Sequence, residues 1–423
     1  MLLTRRAVLG GALAAMSVRA AAQRRGEEAT APLLQVEVSL DHDRPGLGRF
    51  PLRCEWGAEP RSRRPTVVVV ADAQQYFVRP GGAARLQRDL FGDTLNVLAI
   101  VGRSRAPELE PLILRDGGPD WEAAYRLLNW RQWARDADAV LRQLDLGERE
   151  FGLYGRSGGA HLIHQLLTLR PDLRGRAYVQ AAVNHPLDVA WGLGADHLWE
   201  QLSASDPAAT RDLAAWLERR PTRRRDLVLV LQRQHFFETI EALPAARLTA
   251  VRAFLRGDDA AIAGMRERYQ IAAIEQSRGT LEGIGAAVRV YEFASPHADP
   301  RARAAPLRPD VEALFHYAHP LAEAGYRPPV TVTDWPRLRD QRMAVLQVAG
   351  RHDHTADYRT QIGLAGLTRG ARLLLLDDDH VFKRWTAAGT QPALIRAFFG
   401  EGMESNAFRS ALAAVEPLRW RER

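Results

Sequence analysis

The sequence predicts an α/β protein in which a mostly parallel sheet, flanked by helices, is interrupted by a large, mainly helical insertion before the penultimate strand. Three observations lead there. Short apolar, strand-like runs alternate with helix-spaced segments up to about residue 183, give way to helical spacing, and resume near 340. Gly155-Arg156-Ser157-Gly158-Gly159 places a serine on a G-x-S-x-G turn between a strand and a helix. The chain has 423 residues, 46% of them apolar, so it can bury a large core and exceeds what such a sheet alone requires.

The first 22 residues read as an export signal, because Arg5 and Arg6 precede the apolar stretch 7–16 and the small residues Ala20-Ala21-Ala22. The paired arginines resemble a twin-arginine signal, which implies the twin-arginine export machinery as a partner and a periplasmic or extracellular destination. The apolar run is too short to span a bilayer comfortably, so no stable membrane insertion is expected once the signal is removed. Cys54 is the only cysteine, which rules out an intrachain disulfide and suits folding before export.

Segments 34–40 and 50–56 alternate like a hairpin around the turn-rich 41–46 and would open the sheet. Strands are expected at 66–70 and 94–101, and a helix at 133–144. Phe151-Gly152-Leu153-Tyr154 suits a buried strand, and the apolar segment from Gly158 runs as a helix to Arg170-Pro171. A further strand is expected at 179–183. Helical spacing then recurs at 209–217, 227–240, 245–255 and 260–274, with a strand-like patch only near 288–293. Segments 343–348 and 371–376 read as the last two strands. The expected division is therefore 1–22 signal, 23–183 first part of the core, 184–339 helical cap and 340–423 second part of the core.

A strand that turns abruptly into a helix forces its central residue into a strained conformation and lifts the serine hydroxyl clear of the sheet. Here the chain resembles the α/β-hydrolase superfamily, whose nucleophile, acid and histidine follow in that order. Asp353 follows the strand 343–348 in Gly350-Arg351-His352-Asp353, and His380 follows the last strand in Asp377-Asp378-Asp379-His380. The resemblance implies a triad of Ser157, Asp353 and His380, with Asp357 and Asp378 as reserve acids. The three residue types serve separate ends. The imidazole takes the serine proton and returns it to the leaving group, while the carboxylate fixes the tautomer and stabilises the imidazolium.

Two departures from the family concern the oxyanion hole. After the strand 66–70, relatives usually carry a His-Gly pair, where this chain reads Ala71-Asp72-Ala73-Gln74-Gln75-Tyr76. One donor is expected to be the N–H of Gly158 and the other that of Ala73 or Gln74. A carboxylate aimed into the hole would oppose the oxyanion, so Asp72 is expected to point away or to pair with an arginine. The competing reading is a non-catalytic binding protein on the same fold.

The insertion resembles the caps of prolyl-aminopeptidase-like peptidases and esterases, which close over the nucleophile. Tyr76, Trp191 and Trp199 are substrate-binding candidates, with His235, Phe236 and Phe237 as further pocket candidates. Glu200, Glu238 and Glu241 are candidate ligands for a substrate amine. The formal charge is +7, and the first 22 residues carry three arginines and no acid, leaving +4. That weak field, with Lys383 the only lysine, argues against nucleic acid as a partner. His352-Asp353-His354 and Asp377-Asp378-Asp379-His380 are rich in ligand types but lack a familiar metal spacing, and nothing reads as a cofactor site. The expectation is an exported serine hydrolase acting on a small-molecule or peptide substrate through an acyl-enzyme.

Overall fold

Buried and exposed side chains alternate along Leu33–Ser39 (β1) and Arg49–Trp56 (β2), with Val36 opposite Leu52 and Val38 opposite Phe50, so the two segments pair antiparallel over one apolar face. The computed structural model describes residues 32–72, 81–146, 151–193, 197–219, 222–276, 279–294, 312–313, 321, 324–330 and 332–420. The candidate signal and the loop holding Ala73, Gln74 and Tyr76 lie outside the described residues.

Thr66–Val69 (β3), Asn96–Ile100 (β4), Phe151–Arg156 (β5), Gly175–Gln180 (β6), Ala344–Gly350 (β7) and Ala371–Leu376 (β8) complete an eight-stranded sheet. Its order is β1-β2-β4-β3-β5-β6-β7-β8, antiparallel where β2 meets β1 and β4, and parallel from β4 onward. This is the α/β-hydrolase fold. Chain progression reverses direction between β3 and β5, and side chains at the carboxyl ends of strands around such a switch point face a common crevice. The nucleophile candidate follows β5, and Asp72 follows β3.

The central strands are apolar on both faces because helices cover both. Val68, Val70, Leu153 and Val179 pack with Trp130–Gln143 (α1) and Gly158–Leu169 (α2), while Val67, Val69, Tyr154 and Tyr178 face the opposite layer. A third apolar cluster joins the helices Leu198–Ser205, Pro207–Glu218, Arg224–Phe237 (α3) and Leu243–Arg256 (α4) through Leu202, Trp216, Leu229 and Phe254.

Three segments differ from the sequence expectation. The strand-like patch at 288–293 is part of the helix Leu281–Ala294 (α5). Its buried Ile284, Ala287, Val288 and Tyr291 recur at helical spacing, a pattern longer than the short β-branched run that suggests a strand. This helix packs back onto the sheet cluster with α1 and α2 rather than joining the insertion's own core. The helix expected over 260–274 breaks into Asp259–Arg268 and Ile271–Gln276, with Gln270 between them at φ +56°. The strand expected at 179–183 ends at Gln180, and Ala181 at φ +50° turns the chain out of the sheet. No helix among the described residues is long and apolar enough to cross a membrane.

Beyond β7 the chain forms Tyr358–Leu367 (α6), and beyond β8 it forms Lys383–Ala388 (α7) and Gln391–Glu401 (α8). The loops leading into α6 and α7 deliver the remaining site residues.

Candidate active site

Ser157 sits between β5 and α2 at φ +50°, ψ −122°, a conformation that costs a non-glycine residue roughly 1–3 kcal/mol and persists only where the surroundings enforce it. Its N–H donates to the Gln180 carbonyl at 2.8 Å, which ties the elbow to the neighbouring strand. The first turn of α2 lies so close to the strand end that a Cβ at Gly155 would meet the Gly159 carbonyl oxygen at 2.6 Å. Glycine at 155 is therefore what permits the turn. As the first residue of α2, Gly158 has an N–H with no acceptor within the helix, the kind of donor that favours an anion.

The structure brings Ser157, His380 and Asp353 into one line. His380 Nε2 lies 3.0 Å from Ser157 Oγ, and His380 Nδ1 lies 2.8 Å from Asp353 Oδ2. The other oxygen of Asp353 accepts the N–H groups of Thr355 and Ala356, each at 2.8 Å, so the carboxylate is held at both ends. Asp353 and His380 are both buried.

All three aspartates before His380 hold its loop in place. Asp377 receives His352 Nε2 at 2.7 Å and an Arg384 N–H at 2.5 Å. Asp378 accepts the N–H groups of Asp379, Arg384 and Trp385, clamping the loop to the start of α7. Asp379 Oδ1 accepts the N–H of Val381 at 3.0 Å. Asp378 is thus committed to backbone. The other reserve acid, Asp357, caps α6 through the Arg359 N–H and also holds the Arg359 guanidinium.

Burial on its own would lower the His380 pKa, but the Asp353 carboxylate, through space and through its hydrogen bond, more than offsets that and Asp379 adds to it. Arg156 opposes them, and the net shift is upward from the ordinary histidine value. Below that raised pKa the ring is protonated and cannot act as a base. Activity should therefore rise with pH along a limb centred above the ordinary histidine value of 6.5, as a profile of log kcat/KM against pH would show. A limb centred below 6.5 would contradict the assignment of His380 as the base.

Asp72 lies directly over the elbow, where a Cβ added at Gly158 would fall inside its carboxylate. Its partner is an arginine: Arg289 Nε of α5 stands 3.4 Å from Asp72 Oδ1. Arg289 Nη1 also donates to Glu292 at 2.5 Å, and Glu292 accepts the Trp130 N–H at the start of α1. All three charged side chains are buried. Burial pushes the Glu292 carboxyl up to about 7, with Arg289 pulling it down and Asp72 pushing it up. Neither Arg289 nor Glu292 carries a sequence signal, since both lie in the segment whose short apolar run suggests a strand.

The remaining candidates are placed as follows. Phe236 presents its ring to His380 at 5.8 Å in a T-shaped contact. His235 stacks on His354 at 4.3 Å, and both line a small cavity beside His380 with Gln201, Glu238, Thr239 and Asp379. Burial lowers the pKa of both rings well below the usual value, with Arg247 adding to the effect at each. Phe237 meets Tyr269 edge to face at 5.7 Å. Trp191 is half-exposed against Gly363 of α6, and Trp199 packs on the insertion's own cluster. Of the acids considered for a substrate amine, Glu238 holds Arg268 and Tyr269, Glu241 holds Arg384, and the exposed Glu200 faces His197. His352, Asp353 and His354 turn to three different partners, Asp377, His380 and His235.

Fold and site together define an α/β-hydrolase-fold protein with a serine, a histidine and an aspartate in contact at its switch point. No family model and no curated protein matches the chain. Among solved structures it is similar to Rv0554 from Mycobacterium tuberculosis, 13% identical over 86% of this chain and 98% of that one, with a TM-score of 0.44. It is also similar to a bromoperoxidase from Bacillus anthracis, at 11% identity over 86% and 98% with a TM-score of 0.42. The enol-lactonase from Burkholderia xenovorans is similar at 13% over 80% and 94%, with a TM-score of 0.37.

Proposed function

We propose that the chain is an exported serine hydrolase that cleaves an ester or amide bond through an acyl-enzyme. The observation that carries this reading is the unbroken line from Ser157 Oγ through His380 to Asp353, 3.0 and 2.8 Å at its two contacts, on a strained elbow. Ser157 Oγ attacks the carbonyl carbon as its proton passes to His380 Nε2, and Asp353 stabilises the imidazolium. The oxyanion is met by the Gly158 N–H and by that of Ala73 or Gln74. Collapse returns the proton from Nε2 to the leaving group, and water, activated by the same nitrogen, then releases the acid. The segment 184–339 acts as the cap, and Phe236 beside His380 supports a role in shaping the substrate site. The segment 1–22 directs twin-arginine export to the periplasm or beyond.

A fluorophosphonate probe should label the wild type at Ser157 and leave Ser157→Ala unlabelled, read by mass spectrometry of the modified peptide. The second reading, a binding protein without turnover, is favoured by one observation: the Asp72 carboxylate lies over Gly158, in the loop where the superfamily resemblance implies a His-Gly pair. Absence of labelling would support it. A screen of aminoacyl amides against simple esters then separates the peptidase and esterase forms of the proposal.

A further inference from the structure

Of the 58 basic residues in the chain, Lys383 alone is lysine. It stands at the start of α7, three residues after His380, and its ammonium has three acceptors at hydrogen-bond distance. Nζ donates to Asp379 Oδ2 at 2.6 Å, to the His235 carbonyl at 2.8 Å and to the Glu238 carbonyl at 2.6 Å. The two carbonyls end α3, where a cation also suits the helix dipole. Phe236, between them in sequence, is the residue whose ring meets His380. The same junction carries a second tie, from Arg384 to Glu241.

Residue type matters at this point. An ammonium is a compact charge with three donors in a tetrahedral spread, which can converge on three oxygens around one centre. A guanidinium is a planar fork whose donors point outward in one plane, suited to a carboxylate and unsuited to this cluster. In a chain whose other basic residues are all arginine, the lysine stands where its geometry fits three converging acceptors.

We propose that Lys383 is a positioning residue that pins the end of α3 to the loop of His380, so that Phe236 and His380 form one rigid wall of the acyl-transfer site. This rests on the hydrolase reading above. Lys383 has two separable effects. Its geometry holds α3, and its charge neutralises Asp379, which would otherwise act on His380 undiminished. The groups facing His380 or lining the cavity beside it are Asp353, His352 and His354 from the loop after β7, Arg156 from the end of β5, Asp379 of its own loop, and His235 and Glu238 at the end of α3. Of these, Asp379 is the one whose field Lys383 screens directly.

The test uses the full chain and a fluorophosphonate probe, with labelling rate measured against pH. Lys383→Met should slow labelling and move its acid limb to higher pH, because Asp379 then stabilises the imidazolium. Lys383→Arg keeps the charge, so its limb should stay in place while labelling slows about ten- to a hundredfold through misplacement. Lys383→Cys treated with 2-bromoethylamine regenerates a lysine analogue and should restore both rate and limb, the buried Cys54 being spared. Hydrogen exchange of amides 235–243 should rise in both Met and Arg variants, a readout that does not depend on Ser157 reacting. A wild type that fails to label sinks the hydrolase reading while the exchange result still decides the pin. Unchanged exchange in both variants, or a limb that shifts equally in Lys383→Arg and Lys383→Met, overturns the proposal.

Discussion

Alanine at position 157 should lower kcat on a cleavable ester by about a million-fold, because a nucleophile that acts as a unit with its base costs about as much alone as the whole triad. Asp353→Asn should lower kcat by about ten-thousand-fold, since a carboxamide can donate to His380 Nδ1 and so favours the wrong tautomer. The contrast that tests the assignment is Asp357→Asn. Its carboxylate caps α6 and holds the partly exposed Arg359, and an asparagine oxygen still accepts the Arg359 N–H, so the change should cost less than about 1 kcal/mol of stability and leave turnover nearly intact. Steady-state kinetics with thermal melts on the same samples separate the two effects. Turnover that survives in Asp353→Asn and collapses in Asp357→Asn would move the acid to the other position.

Leucine in place of Arg289 should damage both fold and turnover. The guanidinium is wholly buried beside Asp72 and Glu292, and removing one member of a buried ionic set typically costs about 3–5 kcal/mol because the others stay buried without it. Denaturant titration measures that loss. Turnover should fall as well, by about a hundred- to a thousandfold, the scale on which the loss of one oxyanion donor is felt. The reason is local: Asp72 lies against Gly158, and under the proposed function its negative charge without Arg289 would oppose the oxyanion assigned to the Gly158 N–H. Pairing the change with Asp72→Asn removes both charges and should recover most of kcat. If Arg289→Leu is destabilised but turns over normally, the charge of Asp72 does not reach the reacting oxygen.

Much of the sheet is legible in the sequence because its signals are local. The run Val67–Val69 is buried throughout, as suits a strand between two layers of helix, the run 373–376 buries alternate leucines as an edge strand does, and the glycines around Ser157 announce a turn that few other residues allow. The patch at 288–293 misleads because a window of six residues does not separate a β-branched helix face from a strand. Trp191 and Trp199 suit substrate contacts by type, since large aromatic side chains favour pockets, yet hydrophobicity does not tell which surface a side chain will cover. Trp191 covers Gly363, and Trp199 covers the insertion's core.

By itself the sequence determined the local strand signals, the elbow and the candidates Ser157 and His380, together with a short set of aspartates to partner the histidine, since each follows a strand and that placement is written in neighbouring residues. Only the tertiary structure decided which aspartate faces the histidine, because Asp353, Asp357 and Asp378 differ by nothing but the backbone amides and partners that reach each one. Only it decided that Arg289 meets Asp72, and that Lys383 reaches the end of α3. Those contacts join residues more than 140 positions apart, and their energy depends on burial and distance, which packing sets and no local pattern carries.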